Sequence, residues 1–281
     1  MLYLLLAIAS SALISIIMRL SEHYVKNEMG MFMANYAVCM VLSYLYMPDK
    51  AFLPVMAEPG NGFTWMLGII SGILYLASFV FMKKNMVKNG IVMTSTFMKL
   101  GVLVPTLMAV VIFREMPRGT QVVGFVLAVL GILGMYLVRQ TTNHDFNKVW
   151  LLLLLFLSGL TDAMANIFDE LGNKSFKDMY LLITFAIALL IAAALTFRGG
   201  ARVACKDLMV GVLIGIPNYY SARFLLLALG SVEAVLVYPM YSVTTIIVTT
   251  VAGIIIFREK IGKKKLLALS VILLSMILLN L

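Results

Sequence analysis

Ile112-Phe113-Arg114-Glu115 recurs in this chain as Ile256-Phe257-Arg258-Glu259, each time closing a long apolar stretch and followed after a short turn by one more. The match extends upstream. Gly68 and Gly72 stand four apart in one apolar run, as Gly211 and Gly215 do in another, and Ser11-Ala12-Leu13 lines up with Ser158-Gly159-Leu160. Self-similarity on this scale marks an internal duplication. Duplicated hydrophobic halves are a common way to build a transporter around a site at the membrane midplane.

Of the 281 residues, 62% are hydrophobic and 12% charged, against roughly 45–50% apolar and about 25% charged in a soluble domain. The composition is that of an integral membrane protein. A spanning helix needs about 20 mostly apolar residues, and ten runs qualify: 2–20, 29–47, 63–82, 91–113, 118–138, 149–172, 178–197, 206–229, 234–257 and 262–281. A barrel strand would alternate over ~10 residues, whereas Leu151 to Leu157 and Ile246 to Ile256 are apolar on every face. The expected fold is therefore an all-α polytopic membrane protein with ten transmembrane helices. No basic stretch precedes Leu2 and the first run reaches Met18, so it is expected to be a retained helix rather than a secretory signal. Cys39, within the second run, and Cys205, beside a connection, are poor disulfide partners, and His23 and His144 lack a second ligand at metal spacing.

The net charge of +9 is spread over short connections rather than gathered on one face, which points to membrane topology and away from nucleic acid. With Lys99 and Arg223 set aside as intramembrane, 15 Lys and Arg fall on one side, among them Arg19, Lys83, Lys84 and Lys88, and 5 on the other. The richer side is expected to be cytoplasmic, which puts both termini outside the cell membrane. A polar patch at Gln140 to Asn147 divides the chain into residues 1–140 and 147–281, with five runs each. Five is odd, so the second half enters the membrane from the opposite side, and the halves are expected to be inverted repeats about an axis in the membrane plane.

The layout resembles the drug/metabolite transporter superfamily in its ten-helix EamA-like form. The stretch from Tyr238-Pro239-Met240-Tyr241-Ser242 through Phe257-Arg258-Glu259-Lys260 to Leu281 is similar to the last two helices of the small multidrug resistance proteins, four-helix members of that superfamily. Tyr238 and Tyr241 fall where those proteins have a Tyr and a Trp lining the substrate site, and Met18-Arg19-Leu20-Ser21-Glu22 resembles the end of their first helix. In this register Ser11 stands where they carry their proton- and cation-binding Glu, so a carboxylate on the first helix is not carried over. The resemblance implies both termini in the cytoplasm, opposite to the orientation expected from the three-to-one charge excess.

Ionisable groups near the bilayer centre usually face a cavity or a partner, because burying one in hydrocarbon costs at least ~2.5–3.5 kcal/mol. Lys99 in the fourth run, Asp162 in the sixth and Arg223 in the eighth are such groups. Ser158, Asp162, Asn166 and Glu170 recur every fourth residue and share one helix face. Under the repeat Ser158 matches Ser11 and Asp162 matches Ser15. Ser95, one turn before Lys99, and Asn218, Tyr219 and Arg223 add polar surface, as do Tyr238, Tyr241, Ser242 and Thr245, whose rings and hydroxyls suit organic solutes. The candidate substrate site is therefore Ser11, Ser15, Ser95, Lys99, Ser158, Asp162, Asn166, Asn218, Tyr219, Arg223, Tyr238 and Tyr241. The competing assignment is a buried Asp162–Lys99 ion pair that locks two helices together. Pro105 and Pro239 are expected to kink their helices, and Arg114-Glu115 and Arg258-Glu259 to anchor helix ends or pair as gates.

No His-Glu-x-x-His, Gly-x-Ser-x-Gly or Gly-x-x-x-x-Gly-Lys-Ser/Thr pattern occurs, so common intramembrane hydrolysis and ATP-driven transport lack their signatures. The function expected is secondary active transport of a small organic solute, an amino acid or related metabolite, by alternating access in the cytoplasmic membrane. No cofactor or metal is expected, proton coupling is left open, and the partners are the solute and the bilayer, in a monomer or weak homodimer. The alternatives are a proton-coupled exporter of organic cations and a non-transporting membrane interaction protein.

Overall fold

The computed structural model describes residues 2–47, 61–105, 108, 118–137, 148–173, 176–200, 202–229, 234–259 and 261–278. Among these residues there are nine α-helices and no strand: α1 (Leu2–Leu20), α2 (Glu28–Leu45), α3 (Asn61–Lys99), α4 (Gly119–Leu137), α5 (Lys148–Leu171), α6 (Lys177–Arg198), α7 (Cys205–Leu229), α8 (Ala234–Ile255) and α9 (Lys263–Leu278). Short 3-10 turns follow α1 and α3 at Ser21–His23 and Leu100–Val102. Six of the described spans are long and apolar enough to cross a membrane, and Gly119–Gly131, Met240–Ile255 and Leu266–Leu278 are shorter apolar helices. The chain is a multi-pass membrane protein.

The expected count of ten differs from this because α3 spans the third and fourth runs, two helical segments that meet directly at Gly90 with no loop between them. From Asn61 to Gly90 its rise of about 1.5 Å per residue gives a length well beyond the ~30 Å hydrocarbon core. Its polar turns thus lie at or beyond the interface, and each finds a partner. Lys83 is buried and its Nζ donates to the Met18 carbonyl and to Ser21 Oγ, both at 2.8 Å. Asn85 Nδ2 donates to the carbonyls of Phe81 and Trp150. Lys84 and Lys88, one turn apart, lie over the Trp150 ring at 5.1 and 4.9 Å. The basic residues Arg19, Lys83, Lys84 and Lys88 thus gather at one end of the bundle.

Helical geometry breaks inside α3 only at Gly90, whose φ of 78° and ψ of 172° suit a residue without a Cβ. The restarted helix is capped from across the bundle. Glu259 accepts from the backbone N–H groups of Ile91 at 2.7 Å and Val92 at 3.3 Å, placing negative charge at a helix N-terminus. Arg19 completes the cluster by donating to the Met86 carbonyl at 2.7 Å, pairing with Glu22, and standing 4.0 Å from Glu259. Glu259 is therefore a capping group, a more specific role than the anchor expected of Arg258-Glu259; Arg114 and Glu115 lie outside the described residues.

Four glycines set how the helices pack. A Cβ on Gly72 would stand 2.6 Å from the Thr184 carbonyl oxygen and one on Gly68 2.7 Å from Ile183 Cγ2, so α3 lies almost backbone to backbone on α6. On α7, a Cβ on Gly215 would stand 2.7 Å from the Asn35 carbonyl oxygen and one on Gly211 would collide with that of Met31, so α7 meets α2 in the same way. Helices α1, α5 and α8 complete the core, while α4 and α9 pack on each other at the periphery.

Replacing Gly72 or Gly215 by Leu should destabilise the purified protein by about 1–3 kcal/mol or more, whereas Gly62→Leu, with nothing within 4 Å of its Cβ position, should leave the melt unchanged. Thermal melting in detergent measures this, and equal melts for all three variants would remove close backbone approach as the cause.

Candidate functional site

Six helices converge on one cavity of about 130 Å³. At ~10–15 Å³ per water position, that admits on the order of ten waters or a small solute. Helix α1 contributes Ser11, Ile14 and Ser15. From α3 come Tyr75, Ser78, Phe79 and Met82 before Gly90, then Ser95, Met98 and Lys99 after it. Ser158, Thr161, Asp162 and Ala165 enter from α5, and Tyr180, Leu181 and Thr184 from α6. The remaining wall is Asn218, Ser221, Ala222, Leu225 and Leu226 of α7 with Tyr241 and Thr245 of α8.

Two opposite charges share this space without pairing. Lys99 Nζ lies 3.9 Å from the centroid of the Tyr241 ring, on its electron-rich face. Asp162 forms no ion pair with Lys99 within 4.0 Å, so among the described residues the locking pair weighed from the sequence is absent. Both groups keep capacity for a third party.

The neutral polar groups are mostly oriented by bonds to their own helices. Thr161, Thr184 and Thr245 each donate to the carbonyl four residues earlier, at 2.8, 2.8 and 2.6 Å. Ser158 donates to Leu154 at 2.8 Å and reaches the Met98 carbonyl at 2.9 Å, tying α5 to α3 where Gly159 and Gly101 touch. Hydroxyls spent in this way offer lone pairs. Ser95 Oγ is buried at the wall and has no partner.

The tyrosines are held from behind. Tyr180 OH shares a 2.7 Å hydrogen bond with Ser71 and its ring stacks on Phe168 at 4.4 Å. Tyr75 stacks on Phe79 and donates to Asn218 Oδ1 at 3.3 Å, and Asn218 Nδ2 donates to Asn35 Oδ1 at 3.2 Å. Tyr241 OH meets Ser221 Oγ at 3.1 Å.

Of the residues expected from the sequence, Ser11, Ser15, Ser95, Lys99, Ser158, Asp162, Asn218 and Tyr241 come together here. Asn166 stands one turn beyond Asp162, outside the cavity wall. Tyr219 and Arg223 are placed elsewhere: Arg223 pairs with Asp178 at 2.9 Å, donates to Tyr219 OH at 2.8 Å and lies over the Tyr46 ring at 4.6 Å. That cluster neutralises Arg223 near the start of α6, so the expectation that it lines the site with Asp162 is corrected. Tyr238 belongs to α8, and its side chain lies outside the described residues. Tyr75, Ser78, Thr161, Tyr180, Thr184 and Ser221 were missed. The repeat could have shown Ser78 and Ser221, which align when Gly72 is set on Gly215.

The chain is 24% identical over 272 residues to an uncharacterized protein of Haemophilus influenzae, covering 92% of this chain and 91% of that one. A solved protein crystal structure superimposes with a TM-score of 0.63 at 13% identity, over 98% of this chain and 96% of that chain, which establishes a shared fold. Residues 1–137 match the EamA-like transporter family. This match over about half of the chain is in keeping with a permease of the drug/metabolite transporter superfamily.

Proposed function

We propose that this protein is a secondary active transporter that moves a small organic solute, an amino acid or related metabolite, across the cytoplasmic membrane by alternating access to the central cavity. The observation that carries this reading is the unpaired carboxylate and ammonium of Asp162 and Lys99 in one cavity. A zwitterion complements both, its ammonium to Asp162 and its carboxylate to Lys99. The oriented hydroxyls accept further hydrogen bonds, and the rings of Tyr75, Tyr180 and Tyr241 cover the apolar part.

Alternating access in this reading uses residues 1–140 and 147–281 as inverted repeats. Reciprocal packing supports it: α3 lies on α6 through Gly68 and Gly72 as α7 lies on α2 through Gly211 and Gly215. The expected equivalents α4 and α9 pair with each other. A second reading, a proton-coupled exporter of organic cations, draws on three tyrosines around Asp162, with Lys99 held on Tyr241 and away from the ligand.

Uptake and counterflow of radiolabelled solutes in proteoliposomes separate these readings. Counterflow of a zwitterion is expected, and Asp162→Asn should lower it by about ten- to hundredfold, the loss of a charged hydrogen bond of ~1.5–3 kcal/mol. Accumulation of organic cations alone selects the second reading. Movement of no solute leaves a non-transporting interaction protein, and unaltered transport by Asp162→Asn removes the carboxylate from the mechanism.

Stability should separate the two charges in the same sense. In a cycle of Lys99→Met, Asp162→Leu and the double variant, the coupling should stay below about 1 kcal/mol, because no ion pair is broken. Removing one partner of a true buried pair costs about 3–5 kcal/mol. A coupling of that size, with expression restored in the double variant, would make the two residues structural.

A further inference from the structure

The cavity draws on α6 but not on α2, although the two helices hold equivalent places. Gly68 and Gly72 of α3 approach the carbonyl oxygens of Tyr180 and Thr184, and Gly211 and Gly215 of α7 approach those of Met31 and Asn35. These contacts set Met31 against Tyr180, Phe32 against Leu181 and Asn35 against Thr184. Tyr180, Leu181 and Thr184 all line the cavity; Met31, Phe32 and Asn35 are all fully buried and none of them does.

Asn35 is poorly satisfied where it lies. Its Oδ1 accepts from Asn218 Nδ2, a residue of the cavity wall, while its Nδ2 has no hydrogen-bond partner. An amide donor left unpaired in an apolar interior costs about 1–3 kcal/mol, and such a group in a folded protein calls for a cause. Leu or Ala would fill the position without that cost.

We propose that Asn35 is a ligand-binding residue of the opposite-facing state, in which α2 supplies Asn35, Phe32 and Met31 to the cavity in the place that Thr184, Leu181 and Tyr180 occupy here. This rests on the alternating-access reading. Exchanging the roles of the two halves moves the cavity from the α6 side to the α2 side, and Asn35 Nδ2 then meets an acceptor on the solute or water. Asn218 stays at the wall in both states because its two amide ends already reach Tyr75 on one side and Asn35 on the other. The group recognised by Asn35 Nδ2 is a hydrogen-bond acceptor such as a carboxylate or carbonyl oxygen.

The experiment starts from a Cys39→Ala, Cys205→Ser background and compares Thr184→Cys with Asn35→Cys in sealed proteoliposomes, using a membrane-impermeant thiol reagent on each side in turn. Thr184→Cys should react from one side and Asn35→Cys from the other, the latter about ten-fold or more slowly, as expected for a minor state. Asn35→Cys that stays inert from both sides, or reacts from the same side as Thr184→Cys, overturns the proposal. Labelling needs no knowledge of the solute, so failure of this inference is distinct from failure of the transport assay. Should Asn35→Cys not reach the membrane, Phe32→Cys, which stands where Leu181 stands, faces the same two outcomes.

Discussion

Backbone contact between helices at glycine is the constraint on which this bundle depends. In a bilayer the hydrophobic effect gives helices no reason to associate with each other rather than with lipid, so close packing must supply the attraction. Gly72 on the Thr184 carbonyl and Gly215 on the Asn35 carbonyl bring α3 to α6 and α7 to α2 at distances no side chain would permit. With those pairs fixed, α1, α5, α8 and the part of α3 beyond Gly90 enclose the space between them. A third close approach, Gly101 against Gly159, sets Ser158 against the Met98 carbonyl and so fixes the depth at which Asp162 and Lys99 enter the cavity.

The placement of charge separates paired charges near the helix ends from the unpaired charges of the central cavity. At one end Arg19, Glu22, Glu259 and Lys83 spend their charges on helix termini and on each other. Elsewhere Arg223 is held by Asp178 and Lys177 by Asp169. In the cavity Asp162 and Lys99 stand without an ion pair between them. A pair that neutralised itself there would be cheaper to insert, so keeping the two apart costs stability. The Gly90 break belongs to the same design, since the helix that carries Lys99 starts with its own N-terminus capped by Glu259 instead of by the preceding turn.

Much of this was legible in the sequence because hydrocarbon punishes polar residues that lack a purpose. Ser158 with Asp162, and Ser11 with Ser15, stood out as polar steps in apolar runs, and both pairs reach the cavity. Tyr75, Tyr180 and Thr184 did not stand out, since a tyrosine or threonine in a membrane helix serves equally well as core and Thr satisfies itself on its own backbone. Arg223 and Tyr219 failed for another reason: a shared face shows that two side chains point together, not toward what, and here Arg223 meets Asp178 of a different helix while Tyr219 OH accepts from Arg223. The loop expected around Lys83 to Lys88 was helix because partners on α1 and α5, invisible in the local pattern, satisfy its polar groups.

Divergence between the halves gives the cavity its polarity. In the register that aligns Ser11 with Ser158, Asp162 corresponds to Ser15; in the register that aligns the two Ile-Phe-Arg-Glu stretches, Lys99 corresponds to Val243. Identical halves would have put two carboxylates and two ammonium groups at one site, where like charges disfavour each other's ionised forms, and the cavity would have no direction of its own. With one carboxylate from the second half and one ammonium from the first, the cavity wall carries one group of each sign. Duplication thus accounts for the matching glycine contacts of α3 on α6 and α7 on α2, and the positions where the copies differ account for the unlike charges that line the cavity.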